Sequence, residues 1–158
     1  MRRGEDLEMD IRVLERQDVD SLTPLIDQFV SANSALTFRP NYREAFRDSA
    51  RKVLEETDAV IFVAEEKGEL AGMISGRIQD NGPIILPEKI GYVGGVVVLS
   101  RYRRKGTAKA LWERLKEWFI SGGIEEAQLY ILPDNNDARG FWQDCGFNIV
   151  LERWKKRL

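Results

Sequence analysis

Apolar positions change their period several times along the chain, and each change marks an element. Ile11, Val13 and Leu14 predict a short first strand. From 19 to about 35, Leu22, Leu25, Ile26, Phe29 and Val30 keep three- and four-residue spacing, the face of an amphipathic helix. Pro24 fits only its first turn, and Asp18 or Asp20 is available to cap it. After a break at 37–40, a second helix is predicted over 42–56, with Phe46, Ala50, Val53 and Leu54 on one side. Two β-prone runs, 59–65 and 70–78, are joined by Glu66-Lys67-Gly68, a hairpin signal. Gly72 and Gly76 inside the second run point to a bulge or a close neighbouring backbone.

A turn-rich connection follows at 80–87, whose Ile84, Ile85 and Leu86 would lid a pocket, meet a second subunit or tuck under the sheet. A fourth strand is predicted over 90–99, with Tyr92, Gly94, Val96 and Val98 on one face and Gly91, Val93, Gly95 and Val97 on the other. Ala108, Leu111, Trp112, Leu115, Trp118 and Phe119 then trace a third helix, and Gly122-Gly123 suits its C-terminal cap. Residues 126–132 read as a fifth strand, 147–154 as a last one. Between them a short helix carries Ala138, Phe141 and Trp142.

Chemistry enters where the fourth strand meets the third helix. Between Val96-Val97-Val98 and the helix lie Arg101, Arg103, Arg104 and Lys105, then Gly106, Thr107, Ala108 and Lys109. A helix start leaves N–H groups unpaired, small residues admit a phosphate to them, and neighbouring cations add charge-assisted hydrogen bonds. The stretch reads as a pyrophosphate cradle. It has neither the GxxxxGK[ST] spacing of a P-loop nor the GxGxxG of a dinucleotide fold.

The wording Arg103-x-x-Gly106-x-Ala108 after a valine strand resembles the acyl-CoA motif of the GNAT superfamily of N-acetyltransferases, and Asn135-x-x-Ala138-x-x-Phe141-Trp142-x-x-x-Gly146-Phe147 is similar to that superfamily's closing motif. The resemblance covers roughly the chain from 60 onward. It implies an α/β (α+β) domain with a mixed, mostly antiparallel sheet of six or seven strands flanked by about four helices. It also implies acetyl-CoA as co-substrate, with an amine acceptor attacking directly in a ternary complex. By that resemblance the main chain at Val96, Val97 and Val98 holds the pantetheine arm. Arg103, Arg104, Lys105, Gly106, Thr107, Ala108 and Lys109 hold pyrophosphate, and Asn135, Ala138 and Trp142 border the cofactor. Asn135 reads equally as a helix cap. Phe38 and Tyr42, between the first two helices, become candidates for substrate contact. Many relatives are dimers, so a homodimer is admitted.

One departure stands out. Many members donate a proton to the leaving thiolate from a tyrosine where this chain has Trp142, and an indole cannot do so. Tyr92 and Tyr130 are the alternative donors within topological reach, Cys145 a weaker one. The fourth strand carries no carboxylate to serve as base. An α-amino group, whose pKa lies near neutrality, would ask less of a base than a lysine. The alternatives are an acyl-CoA-binding sensor without turnover, or an enzyme specific for protein N-termini or lysines.

Composition narrows the classes further. The 158 residues suit one domain over 10–158 behind a flexible leader at 1–9. With no histidine and one cysteine, no serine-hydrolase triad, cysteine–histidine enzyme or zinc-hydrolase site can be assembled, and no metal is expected. A net charge of −2 argues against nucleic-acid binding. The first ten residues hold no apolar segment, so neither signal peptide nor membrane span is expected, and the expected location is cytoplasmic. Arg43, Arg47 and Arg51 form a basic stripe on the second helix, read either as a solvated face answered by Asp48, Glu55 and Glu56 or as a grip on an anionic acceptor.

Overall fold

The computed structural model describes residues 9–158. The expected leader falls on 1–8, outside the described residues, except for Met9, which opens the first strand. The strands are β1 (Met9–Val13), β2 (Ala59–Glu66), β3 (Glu69–Asp80), β4 (Lys89–Val98) and β5 (Ala127–Gln128), and the helices α1 (Thr23–Ala32), α2 (Tyr42–Val53), α3 (Thr107–Ser121) and α4 (Asn136–Asp144). One sheet runs β1-β2-β3-β4-β5. The first four strands pair antiparallel, and β5 joins β4 in parallel.

Alternation along β2 and β3 sorts the core into two layers. Ile61, Val63 and Met73 meet α1 and α2, together with Leu25, Ile26 and Ala50. Val60, Phe62, Ala64 and Ile74 meet α3 and α4 through Leu111, Trp112, Leu115 and Trp142. Helix α3 lies so close to the sheet that a Cβ on Gly91 would fall 2.7 Å from the Phe119 ring, and one on Gly76 2.3 Å from Leu115. Gly76 and Gly91 make room for side chains of α3; of the two expectations for the β3 glycines, a register shift falls at Ser75/Gly76, and a Cβ on Gly72 would lie 2.9 Å from the Val97 carbonyl oxygen of the neighbouring strand. The first predicted helix is split. A 3-10 turn (Arg16–Leu22) precedes α1, and the Asp18 carboxylate accepts from the Glu15 N–H at 2.8 Å as its cap.

Three expectations change. First, the sheet has five strands among the described residues, not six or seven. The run at 147–154 forms no ladder, and β5 is two residues long because it diverges from β4 after the Tyr92–Gln128 rung. Second, the face assignment along β4 fails at its centre. Gly76 pairs with Val93 and Ser75 with Gly95, so Gly94 is an inserted bulge residue. One extra residue inverts everything beyond it. Tyr92 therefore shares its face with Gly95 and Val97, while Val96 and Val98 join Gly91 and Val93 on the α3 side. Third, Ile84, Ile85 and Leu86 do not tuck under the sheet; they are 92%, 56% and 80% exposed.

Arg12 ties β1 to the 3-10 turn and to β2, donating to Asp18 at 2.7 and 2.9 Å and to Glu65 at 2.8 Å. The bond from Arg12 is the main reason the Asp18 carboxyl titrates below its ordinary range, and burial opposes it. A depressed folded-state pKa stabilises above the unfolded value and is lost as pH falls through the folded one. Urea unfolding should therefore show stability declining below about pH 4, and Arg12→Met should both lower stability at neutral pH and shrink that acid loss. Gly91→Val, which forces a side chain into Phe119, should cost about 2–3 kcal/mol in the same measurement.

Candidate active site

The divergence of β4 and β5 opens the sheet beyond Tyr92, and the structure turns main-chain groups into that gap. Leu99 N–H donates to the Ala71 carbonyl at 2.8 Å. In an antiparallel pair, bonded residues alternate with residues whose N–H and C=O point the other way. Leu99 and Val97 are thus bonded to β3, while Val96 and Val98 face the open edge. Of the three valines expected to present their backbone, Val97 does not. The Val98 carbonyl accepts from Gln28 Nε2 of α1 and, at 3.3 Å, from Arg103 Nε.

The edge runs directly into the start of α3. The first intrahelical bond is Ala110 N–H to the Gly106 carbonyl, and no side chain caps the helix. The N–H groups of Gly106, Thr107, Ala108 and Lys109 are left without intrahelical acceptors, an electropositive end suited to an anion. Gly106 sits at φ +78° with nothing within 4 Å of where a Cβ would lie. Glycine is there for its backbone conformation and not for space.

Cations of this turn divide into two groups. Arg101 pairs with Glu69, which also accepts from the Tyr102 hydroxyl at 2.6 Å. Lys105 lies 3.9 Å from the buried Glu66 carboxylate and 5.4 Å from the centre of the Tyr102 ring. Those two fasten the turn to the β2–β3 hairpin. Arg103 and Arg104 are exposed and have no carboxylate partner among the described residues. The sequence marks Glu66 only as part of the hairpin turn and Glu69 not at all, because a hairpin carboxylate has no pattern that marks it as a tether.

On the other side of the sheet, Phe29 packs against the bulge, 3.1 Å from where a Cβ on Gly95 would lie. Its ring lies 6.4 Å from Phe38 and 6.0 Å from Phe46, and Phe38 lies 6.4 Å from Tyr42. Phe38 and Tyr42 thus join one aromatic group beside the open edge. Tyr42 donates to Asp27 at 2.9 Å, which pushes its hydroxyl pKa up, and Arg43 pairs with the same carboxylate at 2.7 Å. The basic stripe is largely answered, by Asp27, Glu44, Asp20 and Asp48.

Tyr92 and Tyr130 come together at the fork, rings 5.8 Å apart, with Arg153 stacked 5.3 Å from the Tyr130 centre. Burial, then the neighbouring Tyr130, raise the Tyr92 pKa, and Arg153 opposes them. Trp142 is placed differently from expectation. It is 4% exposed, packed edge-on against Trp112, Phe141 and Phe147, so its ring fills the core and does not line the edge. Asn135 caps α4, accepting from Ala138 N–H at 3.1 Å, which realises the capping reading and leaves its amide N–H₂ available. No group of three or more metal-ligating side chains occurs among the described residues, and none of their helices is long and apolar enough to cross a membrane.

A family model described as the acetyltransferase (GNAT) family matches residues 26–147. An N-alpha-acetyltransferase of Sulfurisphaera tokodaii is 32% identical over 133 residues, 79% of this chain and 75% of its own length. In fold, the chain is similar to the aminoglycoside N-acetyltransferase AAC(6')-Iy in complex with CoA, with a TM-score of 0.83 at 20% identity, covering 100% of this chain and 98% of the other. It is also similar to a predicted acetyltransferase with acetyl-CoA from Clostridium acetobutylicum, with a TM-score of 0.80 at 16% identity over 95% and 96% of the two chains. Gly106→Ala, which introduces a Cβ where φ is positive but space is free, should cost about 1–2 kcal/mol in denaturant unfolding without a packing penalty.

Proposed function

The chain belongs to the GNAT family of acetyltransferases, and from that premise we propose that it transfers the acetyl group of acetyl-CoA to a primary amine, a peptide α-amino group being the acceptor class. The observation that carries the proposal is the continuity of an unpaired β4 edge with an uncapped helix start. Val96 and Val98 would bond the pantetheine arm as an added strand does. The N–H groups of Gly106 to Lys109, aided by Arg103 and Arg104, would hold the pyrophosphate, and Asn135 would reach the arm through its amide. Membership in an acetyltransferase family speaks against a module that binds acyl-CoA without turnover.

The chain's part in the reaction is to position and to move one proton. The acceptor amine, entering neutral between the Phe29–Phe38–Tyr42 aromatics and the fork, attacks the thioester carbonyl carbon. A C–N bond forms and the C–S bond breaks, with the electron pair leaving on sulfur. Tyr92, which carries its proton at neutral pH as a phenol does, is the donor proposed for that thiolate, and Tyr130 holds its ring. The amine's surplus proton goes to water. An α-amino group near neutral pKa needs no strong base, which suits a strand without a carboxylate. Two things favour a peptide over a polycationic sugar. One is the relative's name; the other is exposed Arg39 next to Phe38, which has no carboxylate partner among the described residues and repels a polycation, whereas Arg43 is already neutralised by Asp27.

Calorimetric titration with acetyl-CoA should give saturable binding that Gly106→Asp abolishes by placing a carboxylate in the cradle; no binding by the parent chain overturns the proposal. In a thiol-release assay, short peptides with free N-termini should turn over and aminoglycosides should not. Tyr92→Phe should lower kcat by about 10²-fold, with acetyl-CoA affinity little changed. Equal rates for the two acceptor classes would remove the peptide assignment.

A further inference from the structure

We infer that Gln28 is a positioning residue that guards the open edge of β4: its side-chain amide occupies the Val98 carbonyl, and the pantetheine arm must displace it to bind. The inference rests on the acetyl-CoA reading given above and adds to it a residue and a sequence of events. Gln28 lies half-buried on α1, seventy positions from Val98 in the chain, and donates through Nε2 to that carbonyl. Arg103, approaching from the turn after β4, donates to the same oxygen at 3.3 Å.

A carbonyl oxygen offers two lone pairs, so two donors saturate it. One comes from a helix across the sheet face and one from the phosphate turn. An unpaired strand edge otherwise leaves its acceptors bare and invites another chain to pair there. The two side chains supply what the missing neighbour strand would have given. A ligand amide that pairs with the edge needs the same oxygen, and one donor has to leave.

The geometry links that exchange to the anion site. Arg103 borders the uncapped start of α3 and has no carboxylate partner among the described residues. When an arm amide takes the Val98 carbonyl, the guanidinium is released where the phosphates arrive. Gln28, which has no phosphate to turn to, only loses a bond. It therefore opposes binding of the arm, while Arg103 exchanges one acceptor for a better one. Removing the Gln28 donor tightens arm-bearing ligands and leaves arm-free ones unaffected.

The test is calorimetric titration of Gln28→Ala and the near-isosteric Gln28→Met with acetyl-CoA and with adenosine 3′,5′-bisphosphate, which carries phosphates but no pantetheine arm. Both variants should bind acetyl-CoA about fivefold more tightly than the parent, the weight of roughly one net hydrogen bond, with bisphosphate affinity unchanged. Unchanged or weakened acetyl-CoA binding in both variants overturns the inference, and so does an equal gain for both ligands, which would signal a general loosening. Parent protein that fails to bind acetyl-CoA at all overturns the acetyl-CoA reading, and this inference with it.

Discussion

Every backbone polar group of β4 needs a partner, and the strand has a neighbour along its whole length on only one side. On the other, β5 accompanies it for two rungs and then leaves. Everything else in the site follows from that unmet obligation. A buried strand with a bare edge is costly unless side chains, water or a ligand complete it. Here the edge is completed partly by Gln28 and Arg103, and it ends against a helix whose own first N–H groups lack acceptors. Two deficits of the same kind, a strand edge and a helix start, lie end to end. Their combined shape is that of an extended, amide-bearing ligand with an anionic end.

Much of this was legible in the chain, because it depends on local chemistry. The valine strand, the basic turn, Gly106 and the helical face from Ala108 to Phe119 all carry their own signals, and each appears where its pattern predicts. Pro24 in the first turn of α1 and Asn135 at the cap of α4 were equally readable. What escaped depends on pairing between distant segments. The Gly94 bulge exists only in the register of β4 against β3, and a single inserted residue inverted the faces assigned to Val96 and Val98. The tethers of Arg101 and Lys105 to Glu69 and Glu66 cross some thirty to forty positions with no periodicity to announce them. Gln28 falls on a helical face like any other polar residue.

Trp142 shows a motif and its environment giving different information. By resemblance the position belongs to chemistry. In the structure it belongs to a four-ring aromatic group with Trp112, Phe141 and Phe147. An indole is large enough to fill that space and has no acidic proton to offer, so the substitution exchanges a functional hydroxyl for packing. The donor proposed in its place is Tyr92, at the fork beside Tyr130.

The run after Gly146 leaves Ile149, Val150, Leu151 and Trp154 largely exposed, without a strand beside them. Such a segment combines β-forming side chains with a solvent-exposed backbone in no ladder, the composition that stacks into intermolecular sheets. Arg153, Lys155, Lys156 and Arg157 are interleaved with and follow those residues. Stacking copies in register would bring like charges within a strand spacing of one another, and the repulsion grows with each added chain. Cations so placed outnumber the single Glu152 among them and oppose such stacking by a repulsion that salt screens.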